Sequence, residues 1–156
     1  MKMFRYLTAH HLWYWTAALI PILLPHPQIL TGTLVNALIL AAAERFRLSK
    51  AWPVLVLPSI SATLMGFLFK TAVLLPLIPA IWLGNFILFA AARRGQTIIG
   101  ILAKAAWLGV YTYGLIHLGL LPEKLLFPMS VVQLLTAFAG FVLLRGVSWL
   151  WTNMRR

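Results

Sequence analysis

Apolar residues in this chain fall into long runs that are separated by short polar or proline-containing breaks. A helix needs about 20 mostly apolar residues to cross a bilayer, and most of the runs approach or exceed that length. The pattern therefore predicts an all-α integral membrane protein, built as a six-transmembrane-helix bundle. The predicted spans are about 7–25, 28–43, 52–69, 71–92, 96–121 and 128–151.

Composition supports a membrane location. The chain has 156 residues, of which 62% are hydrophobic and only 10% charged. A soluble domain of this size exposes too much surface to hide so many apolar side chains. The connections between runs are short, so consecutive helices should be antiparallel neighbours. We expect residues 1–156 to form a single transmembrane domain whose N-terminal segment is retained.

The basic residues predict the orientation of the bundle. Cytoplasmic loops of membrane proteins carry an excess of Lys and Arg. With a cytoplasmic N-terminus, nine basic residues lie inside and two outside, so both termini should be cytoplasmic in a multi-pass protein of the plasma or inner membrane. The inside set is Lys2, Arg5, Arg45, Arg47, Lys50, Arg93, Arg94, Arg155 and Arg156, and the outside set is Lys70 and Lys124.

Several function classes are excluded or disfavoured. The net charge of +11 is scattered along the chain and forms no basic stripe, so nucleic acid is not the expected partner. The chain has no Cys and only two acids, Glu44 and Glu123. The chain therefore lacks the residues needed for paired catalytic carboxylates, thiolate metal sites or Ser-His-Asp triads. We expect no enzyme activity, no metal site and no cofactor.

Polar residues inside the predicted spans are the candidates for function, because such residues are costly in a bilayer and tend to face the bundle interior. Lys104 has no acid within eighteen residues on either side. At about 1.5 Å of rise per residue, Asn85 lies about 12 Å from the boundary marked by Arg93, and Lys104 lies at a similar depth on the next helix. We expect Asn85 and Lys104 to meet. Asn36 lies near mid-depth.

Three explanations for Lys104 stand open at this stage. Facing lipid, it costs about 2.5–3.5 kcal/mol on insertion scales. It either reaches the inner headgroups, pairs with Glu44, or holds an anionic group of a substrate. Arg145 raises the same question, and Glu44 can neutralise only one of the two cations. One of them is left in need of an anion.

Four stretches together resemble a known family. They are TGTLVNAL (31–38), LPSISATLMGFLF (57–69), IPAIWLGNFIL (78–88) and the helix that carries Lys104. The combination is similar to the substrate-binding S components of energy-coupling factor (ECF) transporters, and the resemblance covers about residues 29–110. The family's coupling signature, a small-xxx-small pattern on the first helix, is absent from the first span, and Ala37-xxx-Ala41 lies on the second.

The resemblance implies a bundle that binds a vitamin or micronutrient beneath an external loop, here the one containing Pro76 and Pro79. Its partners would be a transmembrane coupling subunit and cytoplasmic ATPases, besides the small-molecule substrate and membrane lipid. A self-contained channel or secondary transporter and a structural assembly subunit are the alternatives. The candidate substrate-binding residues are Asn36, Trp82, Asn85, Lys104 and Tyr111.

Overall fold

The structure, a computed structural model, describes the backbone of residues 2–24, 27–64 and 75–154 and the side chains of 11–24, 27–64 and 75–154. Within these ranges it is all-helical, with six α-helices and no strand. A 3₁₀ turn, Glu123–Leu125, and a π-helical turn, Pro128–Val132, precede the last helix. The helices are α1 Lys2–Leu23, α2 Gln28–Arg45, α3 Leu48–Leu64, α4 Leu77–Arg93, α5 Thr97–His117 and α6 Gln133–Asn153.

Some helix ends differ from the predicted spans. The fifth span was expected to reach residue 121, but α5 ends at His117. Gly119 adopts a φ of +71°, a left-handed conformation that glycine reaches without steric cost and that commonly ends helices. The sixth span begins with the π-helical turn. The predicted spans 7–25, 52–69 and 71–92 extend partly into residues 25–26 and 65–74, which lie outside the described residues.

Helix α2 is the central element. It contacts α1, α3, α4 and α6. Its buried residues Ile39 and Leu40 join a core with Val54 of α3 and with Leu88 of α4. A second, smaller cluster around Leu77, Leu121 and Met129 joins α4 to the turns before α6. The position of α2 means that its side chains meet several helices at once.

The contact between α2 and α6 is especially close. A Cβ atom added at Gly140 of α6 would lie 2.7 Å from the Ala37 nitrogen and 2.8 Å from the Thr33 oxygen. One turn earlier, a Cβ atom at Gly32 of α2 would lie 3.0 Å from the Thr136 side chain. Small residues at such positions let two helix backbones approach. These glycines therefore permit the close approach of α2 and α6.

Basic side chains gather at one end of the bundle, which we call the basic end. Several contacts join the elements there: Arg93 donates a hydrogen bond to the Phe46 carbonyl, and Arg145 pairs with Glu44 at 3.7 Å. The opposite end, where α2 and α6 begin, is called the far end. Among the described side chains, it carries Lys124 alone of the Lys and Arg residues. The basic end carries Arg45, Arg47, Lys50, Arg93, Arg94 and Arg145.

Two segments, Thr97–His117 and Glu123–Asn153, are long and apolar enough to cross a membrane. Helices α3 and α4 are apolar but shorter, with 17 residues each. Large apolar side chains also cover the outside of the bundle, for example Val110 at 70% exposure and Trp149 at 64%. An apolar exterior of this kind indicates membrane association.

We predict that Gly140→Ala destabilises the protein, because its methyl group would collide with the backbone of α2. Overpacking of this kind costs about 1–3 kcal/mol. Gly146→Ala is the matched control on the same helix, since nothing lies within 4 Å of the added Cβ. Thermal unfolding in detergent micelles, followed by circular dichroism, compares the two variants. Equal melting temperatures would contradict the close α2–α6 contact.

Candidate functional site

Lys104 lies in the middle of the bundle and is only 2% exposed. Its ammonium group donates hydrogen bonds to Asn36 Oδ1 at 2.6 Å and to Asn85 Oδ1 at 2.8 Å. The expected meeting of Asn85 and Lys104 is thus observed, and Asn36 joins them. A hydrogen bond to a charged group contributes about 1.5–3 kcal/mol, so two of them are enough to offset the cost of placing the cation there.

Both asparagine side chains are held in place by their amide nitrogens. Asn36 Nδ2 donates to Thr136 Oγ1 of α6 at 3.2 Å, and Asn85 Nδ2 donates to the Leu55 carbonyl of α3 at 2.8 Å. The Leu55 carbonyl belongs to the backbone of α3, so this bond ties α4 to α3. Each amide oxygen is thereby turned towards Lys104.

Neither acidic side chain of the chain reaches Lys104. Glu44 pairs instead with Arg145, and both of these side chains are about half exposed or more at the basic end. Glu123, the other acid, is exposed in the 3₁₀ turn at the far end. The Lys104–Glu44 pair is therefore not formed, and the burial of Lys104 argues equally against a lysine that reaches the headgroups. The partners that the structure shows for Lys104 are the side-chain oxygens of Asn36 and Asn85.

The polar cluster lies at the bottom of a partly enclosed cavity between α1, α2, α3, α4, α5 and α6. The cavity has an empty volume of about 650 Å³, counting its open side. Its lining residues are Pro21, Gln28, Thr31, Gly32, Val35, Asn36, Pro58, Ser59, Ala62, Ile81, Asn85, Lys104, Val132, Gln133 and Thr136.

The cavity runs from the far end of the bundle to the polar cluster. Gln28 and Gln133, the first residues of α2 and α6, lie at its shallow end. Beyond the polar cluster, towards the basic end, the helices are packed with apolar side chains. Ile39, Leu88 and Ile101 are each at most 1% exposed there. The cavity is therefore a pocket that ends at Lys104.

The five predicted site residues are not all brought together. Asn36, Asn85 and Lys104 line the cavity, whereas Trp82 and Tyr111 do not. Trp82 lies behind the lining residue Ser59, and its Nε1 donates a hydrogen bond to the Ser59 hydroxyl at 2.6 Å. The Tyr111 hydroxyl donates to a backbone carbonyl at the start of α4, 3.3 Å away. That carbonyl belongs to Pro76, which with Pro79 was expected to cover the site, and neither proline lines the cavity.

Five further polar lining residues were missed as candidates: Gln28, Thr31, Ser59, Gln133 and Thr136. Their spacing carries a signal. Gln28, Gly32 and Asn36 follow one another at intervals of four residues, so they share one face of α2. The same holds on α6, where Thr136 is three residues after Gln133. Two facing stripes of this kind predict a polar interface between α2 and α6.

No family model matches the chain, and neither a curated protein nor a solved structure shows significant similarity to it.

We predict that Asn85→Leu lowers the free energy of unfolding by about 2–3 kcal/mol, because Lys104 loses an acceptor and the Leu55 carbonyl loses a donor. Titration with sodium dodecyl sulfate in mixed micelles measures this change. Asn153→Leu, at the exposed end of α6, is the matched control and should change the value by less than about 0.5 kcal/mol. Equal effects of the two substitutions would show that the polar cluster contributes nothing.

Proposed function

We propose that the chain is a substrate-binding membrane subunit of an uptake transporter of the ECF type, which captures a small anionic vitamin or micronutrient. In this proposal six helices cross the membrane and both termini are cytoplasmic. A transmembrane coupling subunit and cytoplasmic ATPases supply the energy, because the sequence has no phosphate-binding Gly-x-x-x-x-Gly-Lys-Ser/Thr motif.

The observation that carries the proposal is the position of Lys104. A buried ammonium at the end of a pocket, with amide oxygens but no carboxylate beside it, lacks a counter-ion from its own chain. Charged groups at membrane depth usually mark a substrate or ion pathway. A partly enclosed pocket beside this ammonium offers a place for such a group.

The distribution of charge supports the direction of capture. Basic residues concentrate at the basic end, which is the cytoplasmic end under the positive-inside rule. The pocket then runs inward from the outer surface and ends at Lys104, about 12 Å from the inner boundary. A substrate would enter from outside and rest against Lys104.

Two alternative functions are less well supported. A channel or secondary transporter needs a path through the bundle, but apolar residues such as Ile39 and Leu88 fill the bundle beyond Lys104. Glu44, the acid nearest to the cytoplasmic half, pairs with Arg145 away from the pocket. A purely structural subunit would need the polar cluster for packing alone, and it leaves the pocket without a role.

We predict that native mass spectrometry of the protein, purified gently from its own host, detects one small molecule per chain, and that ATPases and a membrane coupling subunit co-purify with it. The metabolite is identified after denaturation. A Lys124→Met variant, changed at an exposed position, serves as the control and should retain the molecule. A protein that carries no metabolite and no ATPase partner would contradict the proposal and favour a structural role.

A further inference from the structure

The shallow end of the pocket carries two side-chain amides that no other described group binds. Gln28 and Gln133 both line the pocket, and neither side chain makes a hydrogen bond among the described residues. Each amide offers two N–H donors and one carbonyl acceptor. They are therefore available to a bound molecule.

The two glutamines lie at nearly the same height in the bundle. Gly32 faces Thr136, and Gly140 faces Ala37. Helices α2 and α6 run parallel, so a residue of α6 lies level with the residue of α2 whose number is 103 or 104 smaller. Gln133 therefore lies about level with residue 29 of α2, next to Gln28. Asn36 is eight residues deeper on α2, a rise of roughly 12 Å. The pocket thus has a polar group at each end.

The deep end of the pocket offers mainly hydrogen-bond donors. The ammonium of Lys104 has three hydrogens, of which Asn36 and Asn85 accept two. Each asparagine amide has a second N–H beyond the one that it donates to the protein. The side-chain amide oxygens both face Lys104. A ligand group that accepts hydrogen bonds and carries negative charge therefore complements this end best.

Between its two ends, the pocket is lined by apolar side chains and by hydroxyl groups whose hydrogens are already donated to the protein. Val35, Pro58 and Ile81 contribute hydrocarbon surface. The three hydroxyl groups that line the pocket each donate their hydrogen to a backbone carbonyl: Thr31 to Leu24, Ser59 to Val56 and Thr136 to Gln133. A ligand body in this region gains most from being apolar.

From this arrangement we infer the class of ligand: a slender monocarboxylate with an apolar body and an amide-like polar group at the other end. The carboxylate binds Lys104, and the polar group binds Gln28 and Gln133. A second carboxylate or a dianionic phosphate is disfavoured, because Lys104 is the one cation that lines the pocket among the described residues. This inference rests on the proposed function and narrows its substrate.

Four matched probes test the inference: 4-acetamidobenzoate, its neutral amide 4-acetamidobenzamide, benzoate, and the dianion terephthalate. Binding to the purified protein is measured by equilibrium dialysis and by the shift in melting temperature. We expect 4-acetamidobenzoate to bind about 10- to 100-fold more tightly than the neutral amide, the loss that accompanies removal of a hydrogen bond to a charged group. Benzoate and terephthalate should each bind more weakly than 4-acetamidobenzoate.

Substitutions assign each end of the probe to its residues. Lys104→Gln keeps two N–H donors for the asparagine oxygens, so it should stay folded while the preference for acid over amide disappears. Gln28→Ala combined with Gln133→Ala should weaken 4-acetamidobenzoate about 10-fold and leave benzoate unchanged. Gln96→Ala, an exposed glutamine outside the pocket, is the matched control and should alter neither value.

Equal binding of the acid and the neutral amide, or a preference that survives Lys104→Gln, would overturn the inferred ligand class while leaving a binding function intact. Preferred binding of terephthalate would overturn the single-carboxylate assignment. If none of the four probes binds and the purified protein carries no metabolite, the inference and the proposed function fail together.

Discussion

The hydrogen bonding of one buried ammonium group organises the centre of this protein. Lys104 is enclosed by the bundle, and two asparagine oxygens take the place of water around its nitrogen. Those asparagines come from α2 and α4, and their nitrogens are bound in turn by α6 and α3. Lys104 of α5 is thus linked to four other helices through the two asparagines. A second hydrogen bond, made by each amide nitrogen, fixes the orientation of each asparagine side chain. In a bilayer the same links have no competing water, so an unpaired member would be costly.

Close packing of α2 against α6 makes this arrangement possible. Without a side chain at Gly140 or Gly32, the two backbones approach until Asn36 reaches Thr136. The same approach brings Gln28 and Gln133 to one level and forms the wall of the pocket. Towards the basic end, the apolar residues Ile39 and Leu88 fill the bundle and give the pocket a floor. Packing and ligand chemistry therefore depend on the same helix pair.

Much of the helical architecture could be predicted from the sequence, because runs of apolar residues mark helices directly. Depth along the helices also predicted that Asn85 and Lys104 meet, since rise per residue is nearly constant. Rotation of a helix about its axis is harder to infer when all its faces are apolar, and this is why the part played by Thr136 was missed. Glu44 pairs with Arg145 and not with Lys104. The sequence could not predict which of the two cations it pairs with, because this depends on the distances between helices. Gly119 ended α5 earlier than the apolar run suggested.

The central claim is that an anion from outside the chain meets Lys104, and an experimental structure of the protein purified without added ligand tests it most directly. The account predicts density for a carboxylate within hydrogen-bond distance of Lys104 Nζ, with an apolar body that extends towards Gln28 and Gln133. A pocket filled only by ordered water, or a neutral molecule that makes no contact with Lys104, would contradict the account.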